Sequence, residues 1–506
     1  MRRSLALLLF GCALLLRQLL LPNEASAQDA ATSEALAALE KAVIETIGKV
    51  EGSVVAIARV RTDGRDQGAE LFDVDGGRFG IPDSRSLTEP TSPDFTPQEY
   101  ATGVAVDASG MIVTTYHVLG DVAKNEYYVW SKQVPYKATV LAADPWLDLA
   151  VLKIEGVKLS PIKFGDAKTL KKGQFVIALG NPYSLAKDGK ASAKWGIVSN
   201  LERPAPPAKP RPRNPTGRET LHHYGSLIET DAILPRGTSG GALVNLAGEM
   251  VGLTTSYAAR NDVEAPGGLV IPVDQAFKDA LEKLKAGRKA EFGFLGVRTR
   301  QAGEAEIRPA RSGAIVDGVV PGTPAAEVDL EPYASPSDYD IITQVDGEDV
   351  TDANHLIMLL SRMPAGKRVR LTVERTDSDH PGRPRVLQKQ VTLSKKYMDT
   401  LRPIYATVVD PAWRGLTIDY ATATPSFTEK PGYLDPDGCL GVLEVERNSA
   451  AWKAGLRGGM FLSHVSDTRV TTPAQFAAAV EGKNGAVKLR LTEAVNGSTV
   501  VSVPAP

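Results

Sequence analysis

Three residues of this 506-residue chain have the types that acyl transfer needs: Ser239, His117 and Asp148. Ser239 lies in Pro235-Arg236-Gly237-Thr238-Ser239-Gly240-Gly241-Ala242, just ahead of the apolar run Leu243-Val244-Asn245. A nucleophilic hydroxyl needs backbone that bends sharply and lets a carbonyl approach unhindered, and glycine supplies both. It also needs a base to take its proton and a carboxylate to hold that base in one tautomer. His117 ends the stretch Thr115-Tyr116-His117-Val118, and Asp148 begins Asp148–Ile154. The order His, Asp, Ser is one of three seen for such triads on unrelated folds. Taken singly, each has a plainer reading: a glycine-rich turn, a packed core histidine, a strand-capping aspartate.

The elements that must position these residues read as short strands. Thr102–Asp107 and Met111–Thr115 alternate around the turn Asp107–Gly110, and Asp148–Ile154 follows Asp144-Pro145-Trp146. Gly173–Gly180, Ala193–Leu201 and Ser226–Asp231 add more. Gly241–Asn245 and Glu249–Thr255 form a hairpin around Leu246-Ala247-Gly248, and Gly267–Pro272 closes the set. About a dozen strands at regular spacing predict barrels or a sandwich. Upstream, Leu36, Leu39, Val43, Ile44 and Ile47 recur at helical spacing over Glu34–Val50, and Ser53–Val60 reads as a strand. Thr62–Gln98 is a long Gly/Pro/Ser/Asp-rich loop. Arg203–His223 is a Pro- and Arg/Lys-rich insert expected at the surface. Its His222-His223 pair could be metal ligands, but adjacent histidines face opposite ways in an extended chain and no Cys or carboxylate cluster accompanies them, which argues against a metal site. Asp274–Lys285 is amphipathic and should pack on the barrels.

Composition narrows the function. Lys and Arg number 58 against 60 Asp and Glu, a net charge of −2. That balance excludes the basic excess of a nucleic-acid binder. Arg2 and Arg3 precede the apolar run Leu5–Leu16; after Arg17 come Leu19–Leu21 and Ala25-Ser26-Ala27, the pattern of a signal peptide over residues 1–27. Arg17 interrupts the apolar run, which argues against a spanning helix. Cys12 after Gly11 weakly resembles a lipoprotein site, with Phe10 a poor fit; a lipid anchor and peripheral membrane association stay open. Cleavage after Ala27 leaves Cys439 as the single cysteine, so no intrachain disulfide forms, and Cys439 reads as a core residue. An exported chain of this kind fits the bacterial envelope, in the periplasm or otherwise outside the cytoplasm.

The flanks carry a family resemblance. Thr102-Gly103-Val104 with Ile112-Val113-Thr114, His117-Val118, Asp148-Leu149-Ala150-Val151-Leu152-Lys153, Gly180-Asn181-Pro182, Gly196-Ile197-Val198-Ser199 and Thr238-Ser239-Gly240-Gly241 resemble the HtrA/Deg serine proteases. The resemblance spans Ser53–Thr492 and implies a mainly β chain, a chymotrypsin-like double β-barrel followed by two PDZ domains. It implies Ser239 as nucleophile, His117 as general base and acid, and Asp148 as the carboxylate that orients His117. It also implies an oxyanion hole within Gly237, Thr238 and Ser239, and a specificity pocket shaped by Thr254, Thr255, Ser256 and Leu269. In that family the pocket favours small or medium aliphatic side chains. The family turn usually reads Asn-Pro-Gly-Asn-Ser-Gly-Gly-Pro, so Pro235, Arg236, Thr238 and Ala242 depart from it. The insert falls where the family has its regulatory loop.

Two later segments resemble each other at a spacing of about 100 residues, which makes two domains rather than a solenoid. Each resembles a PDZ module, which adds a peptide C-terminus as a strand and holds its carboxylate on backbone N–H groups. Phe294-Leu295-Gly296-Val297 and Gly415-Leu416-Thr417-Ile418 are the implied carboxylate loops; the plainer reading is a β-turn in a domain used for assembly. The first repeat also carries an acidic stretch, Glu327–Asp340, where the family has a short turn. The expected layout is a signal peptide (1–27), a helical segment (28–52), a protease domain (53–288) and PDZ-like domains at 289–395 and 404–503. The leading reading is an exported endopeptidase of unfolded or damaged envelope proteins, homo-oligomeric in trimers or multiples of them. Its partners are unfolded polypeptides and protein C-termini, with no cofactor, metal or nucleic acid implied. The runner-up is a catalytically weak fold serving as a holdase or PDZ scaffold. A cytosolic esterase lacks its Gly-x-Ser-x-Gly elbow here.

Overall fold

Six strands close the first barrel. In the computed structural model, which describes residues 24–62, 95, 97, 99–181, 190–207, 218–255, 267–300, 312–335, 338–376, 384–398, 402–409, 412–430, 433–493 and 497–505, helix α1 (Glu24–Val50) leads into β1 (Val54–Arg61). β1 pairs with β2 (Glu99–Ala105) and β4 (Asn125–Ser131). β2 pairs with β3 (Met111–Thr114), β3 with β6 (Leu149–Ile154), and β6 with β5 (Val134–Asp144), which returns to β4. Ile57, Ile112, Val129, Leu152 and Ile154 fill the interior. The sequence reading assigned no strand between Val118 and Asp144, yet β4 and β5 form a hairpin there. Its turn, Lys132-Gln133, has both residues at positive φ (50° and 68°). That is the geometry usually written Asn-Gly or Asp-Gly, so the residue types carry no turn signal.

The second barrel joins β8 (Phe175–Gly180), β9 (Ser192–Arg203), β10 (Leu227–Thr230), β13 (Gly268–Pro272), β12 (Glu249–Thr255) and β11 (Ala242–Asn245), with β11 closing onto β8 and β7 (Lys163–Phe164) added beside β12. One apolar cluster runs through both barrels: Val104, Val113, Leu149 and Val151 from the first meet Leu179, Leu227, Val244 and Leu253 from the second. Burying each such Val or Leu contributes about 1.5–3 kcal/mol, so the cleft between the barrels has a shared floor. Helix α2 (Gln275–Lys285) lays Phe277, Leu281 and Leu284 on that cluster, and Asp274 caps it by accepting the Phe277 N–H at 3.0 Å. The end of α1 seats Val43, Ile47 and Val50 there too. α1 starts ten residues before the expected Glu34. Most of the 1–27 signal-peptide region and of the Thr62–Gln98 loop lies outside the described residues.

The two repeats share one strand order. The first runs β15 (Val297–Arg300), β16 (Ala314–Val319), β17 (Tyr339–Val345), β19 (Arg368–Thr376), β20 (Arg385–Thr392), with β18 (Glu348–Asp349) on β17 and helix α3 (Ala353–Ser361) covering it. β14 (Gly293–Phe294) pairs with β21 (Ser394–Lys395). The chain then forms β22 (Tyr405–Ala406) against β5 of the first barrel. The second repeat runs β23 (Leu416–Tyr420), β24 (Leu440–Val445), β25 (Phe461–Val465), β27 (Val487–Glu493), β28 (Gly497–Val503), with β26 (Thr468–Arg469) on β25 and helix α4 (Pro473–Val480). In both, the first strand lies at a sheet edge. Cys439 is buried beside Ala421 and Phe461, and burial pushes its thiol up to about 11.

Candidate active site

His117 sits in a 3-10 turn, Tyr116–Val118, directly after β3, and Asp148 directly precedes β6. Residues 31 and 122 apart in sequence meet here. His117 Nδ1 lies 2.8 Å from Asp148 Oδ2, and His117 Nε2 lies 3.1 Å from Ser239 Oγ. The His117 backbone N–H also donates to Asp148 Oδ1 at 2.9 Å. The aspartate side chain is 2% exposed and the histidine 9%, so the pair is shielded from water's dielectric.

Asp148 has φ +52°, a left-handed conformation that costs a non-glycine residue on the order of 1 kcal/mol and must be held by its surroundings. Several contacts hold it. Asp144 Oδ1 accepts the N–H groups of Trp146 and Leu147, each at 2.9 Å. Leu221 N–H donates to Trp146 O at 2.9 Å, and Tyr116 N–H to Asp148 O at 3.0 Å. His222 Nε2–H donates to Leu147 O at 2.9 Å while its Nδ1 accepts from Ser226 Oγ at 2.8 Å. Burial drives both buried ionisable groups of this support toward neutrality: His222 down to about 4 and Asp144 up to about 6. The adjacent His223 gives Nδ1–H to Ala205 O at 3.0 Å. The end of the insert is therefore a buried 3-10 turn, Leu221–Tyr224, rather than the surface loop expected.

The serine turn is pinned from both barrels. Thr238 N–H donates to Pro235 O at 3.2 Å across a tight turn that puts Gly237 at φ +92°, as a type II turn requires of glycine. Arg236 is exposed and Pro is not needed for this geometry. From the first barrel, Thr102 N–H donates to Ser239 O at 2.9 Å. Its Oγ1 donates to Gly237 O and accepts the Asn181 N–H, both at 2.7 Å. From the second, Thr254 Oγ1 donates to Thr238 O at 2.5 Å and accepts the Gly241 N–H at 3.0 Å. Gly240 has φ +84°, and a Cβ there would lie 2.1 Å from Thr102 O, so no other residue fits. With its N–H on Pro235 O, Thr238 drops out of the expected oxyanion donors, leaving Gly237 and Ser239.

Of the pocket residues, Thr254 has its hydroxyl committed inside the turn, and Thr255 pairs with Leu269 across β12–β13. The Thr255 hydroxyl is buried with no hydrogen-bond partner among the described residues, and Ser256 lies outside them. Sequence reading missed Leu234, whose side chain packs over Gly268, where a Cβ would come within 2.5 Å. The sequence also assigns no site role to the hydroxyl of Thr102, which stands there as a strand and flank residue. In the first repeat, Phe294 lies in β14 and Leu295 is buried. Gly296 turns at φ +90° against Thr323, and Val297 opens edge strand β15. In the second repeat, the equivalent turn is Trp413-Arg414-Gly415-Leu416; Thr417 and Ile418 already lie in β23. There the Leu416 N–H donates to Trp413 O at 2.8 Å. Arg414 gives its guanidinium to the carbonyls of Lys483, Val503 and Pro504.

Comparison with known proteins agrees with this architecture. Residues 101–253 match the model of a trypsin-like peptidase domain and residues 293–381 that of a PDZ domain. The chain is 29% identical over 415 residues to a probable periplasmic serine endoprotease DegP-like of Chlamydia trachomatis, covering 80% of this chain and 74% of that one. It is 28% identical over 456 residues to the periplasmic pH-dependent serine endoprotease DegQ of Escherichia coli K12, covering 87% and 88%. Among solved structures, the HtrA-type protease AlgW with tripeptide aligns at TM-score 0.47 and 22% identity, over 69% of this chain and 96% of that one. A trypsin-like peptidase domain followed by a PDZ domain, with similarity along most of the length of proteins named as DegP-like and DegQ serine endoproteases, makes the chain a serine endopeptidase and supports the HtrA/Deg family.

Proposed function

We propose that Ser239, His117 and Asp148 are the catalytic triad of an exported endopeptidase that cleaves unfolded or damaged envelope proteins. The observation that carries this reading is His117 bonded on one side to Asp148 and on the other to Ser239 Oγ, at 2.8 and 3.1 Å. Ser239 Oγ attacks the scissile carbonyl as His117 Nε2 takes its proton. The tetrahedral oxyanion is received by the N–H groups of Gly237 and Ser239. His117 then gives the proton to the departing amine, and water repeats the sequence on the acyl-enzyme. Asp148 accepts the His117 Nδ1–H and holds the imidazole with Nε2 toward the serine. Leu234 over Gly268, beside Leu269, makes an apolar wall for an aliphatic side chain before the cut bond. No metal or cofactor takes part in this scheme.

The edge strands β15 and β23 suit strand addition by peptide tails. The first repeat is the better candidate for tail capture: the second loop spends the Leu416 N–H on Trp413 O and places a charged side chain, Arg414, beside its glycine. Export by residues 1–27, assembly into trimers or their multiples, and domain limits at 53–288, 289–395 and 404–503 complete the proposal. The test is digestion of casein by the purified chain and by Ser239→Ala. Loss of digestion in the variant is expected; equal digestion would refute the role of Ser239. If the native chain also fails to cleave while still suppressing aggregation of an unfolded protein, the holdase reading takes its place.

A further inference from the structure

The segment joining the two repeats is built into the protease. β5 is eleven residues long, and β4 pairs only with its first part, Val134–Ala138. Beyond that point residues 402–408 take over the edge. Tyr405 pairs with Ala143 and Ala406 with Ala142. Thr407 N–H donates to Leu141 O at 3.1 Å, and Val408 N–H to Gly287 O at 2.9 Å, just past α2. Arg402 reaches Glu219, in the connection between β9 and β10, at 3.4 Å. Between these anchors, Pro403 O accepts the Tyr116 hydroxyl at 2.9 Å.

Tyr116 ties this strap to the site. It is 3% exposed, its N–H donates to Asp148 O, and the next residue is His117. β5 in turn ends at Asp144, whose carboxylate organises the loop that carries Asp148. The strap therefore touches both chain segments that present the base and its carboxylate, and it does so from between the peptide-binding modules. A phenylalanine would fill the same core; only the hydroxyl registers whether Pro403 is in place.

We propose that Tyr116 is a positioning residue for the His117–Asp148 pair, and that docking of strap 402–408 through it sets the turnover of the site. The proposal rests on the triad reading above. With the strap docked, the Tyr116 ring and its peptide N–H are fixed, and Asp148 keeps its left-handed turn. When the repeats move and draw the strap off β5, the hydroxyl loses its acceptor and the turn that carries His117 loosens. Catalytic geometry is sensitive to such loosening, a shift of about 1 Å costing on the order of a hundredfold. The effect falls on the chemical step, because the strap's bonds run to Leu141, Gly287, Glu219 and Tyr116, on the side of the His117–Asp148 pair.

The experiment uses the full chain and a short amidated peptide substrate, which has no free carboxylate for the PDZ-like repeats. Tyr116→Phe, Thr407→Pro, their combination and Ser239→Ala are compared by kcat and KM. Thr407 is exposed, so its change removes both of its bonds to Leu141 O, from the N–H and from the hydroxyl at 3.0 Å, and releases the strap without touching either core. Each single variant should lower kcat about fivefold to tenfold, the worth of one neutral hydrogen bond, with KM within about twofold of the native chain. The double variant should be no slower than the worse single, because both release one contact. Native kcat in both singles, a rise in KM at constant kcat, or a double variant as slow as the product of the two would each overturn the proposal. A failure of the triad reading would show separately, as turnover retained by Ser239→Ala.

Discussion

The two barrels hold their shares of the site differently. The first carries both His117 and Asp148, and ties them together locally through the His117 N–H to Asp148 Oδ1 and the Tyr116 N–H to Asp148 O. The second carries Ser239 but does not hold it alone. Two of the turn's carbonyls, Gly237 O and Ser239 O, bond to Thr102 of the first barrel, while Thr238 O bonds to Thr254 of its own. His117 and Asp148 are thus braced from behind, by the Asp144 loop, the Leu221–Tyr224 turn and the strap. Ser239 is braced across the cleft. The shared core of Val104, Leu149, Leu227 and Leu253 for that reason positions the candidate site: it keeps Thr102 within reach of the serine turn.

The largest effect that sharpens this contrast is on the self-braced half. Asp148→Asn should lower kcat by about 10⁴-fold through the wrong histidine tautomer, measured on a peptide substrate, with little change in melting temperature. A loss under tenfold would mean His117 is oriented by something other than Asp148. Next comes the cross-cleft brace. Thr102→Val leaves Gly237 O and the Asn181 N–H without their partner hydroxyl and should cost kcat about a hundredfold, at the low end of the loss of a full oxyanion donor. Thr254→Val, a brace from within one barrel, should cost about tenfold, two unmade hydrogen bonds having partly relaxed. If Thr254→Val proves the more damaging, the cleft-spanning brace is not what holds the nucleophile.

The smallest effect concerns the support behind Asp148, and it is read as stability against pH. His222 resists protonation down to about 4 in the fold, whereas the unfolded chain binds that proton near its ordinary 6.5. Between those values the unfolded state holds more protons, so this residue removes stability as pH falls, by about 3 kcal/mol at full extent. Asp144, raised to about 6 from 3.8, acts in the opposite sense: the folded state holds the extra proton, and stability is lost as pH rises through the same window. The two offset each other in the native chain. His222→Gln keeps a donor for Leu147 O and removes one arm. Calorimetry should show the variant gaining melting temperature relative to the native chain between pH 6.5 and 4. Parallel melting curves would contradict a buried neutral His222.

The three residues of the proposed triad could be picked out because each stands in a distinctive local string: a glycine turn for Ser239, a strand end for His117, a strand start for Asp148. Barrel strands with clear apolar alternation were legible for the same reason. What escaped was written in long-range contacts. Thr102 looks like any strand threonine until the serine turn folds against it, 135 residues away. β4 and β5 were hidden because a Lys-Gln turn takes positive φ without the residues that signal it. Tyr116 beside His117 gave no hint of Pro403, since a two-residue strand, β22, has no periodicity to read. The second carboxylate loop was placed two residues late because Gly415, taken there as the first residue of the loop, is the third residue of its turn.

The proposed mechanism requires Ser239 to be an activated nucleophile. Treating the full-length chain with a fluorophosphonate probe and locating the adduct by peptide mass analysis tests this directly. The predicted result is one label per chain on Ser239, abolished in Ser239→Ala and in His117→Ala. A folded native chain that takes no label, or takes it on a serine other than 239, would contradict it.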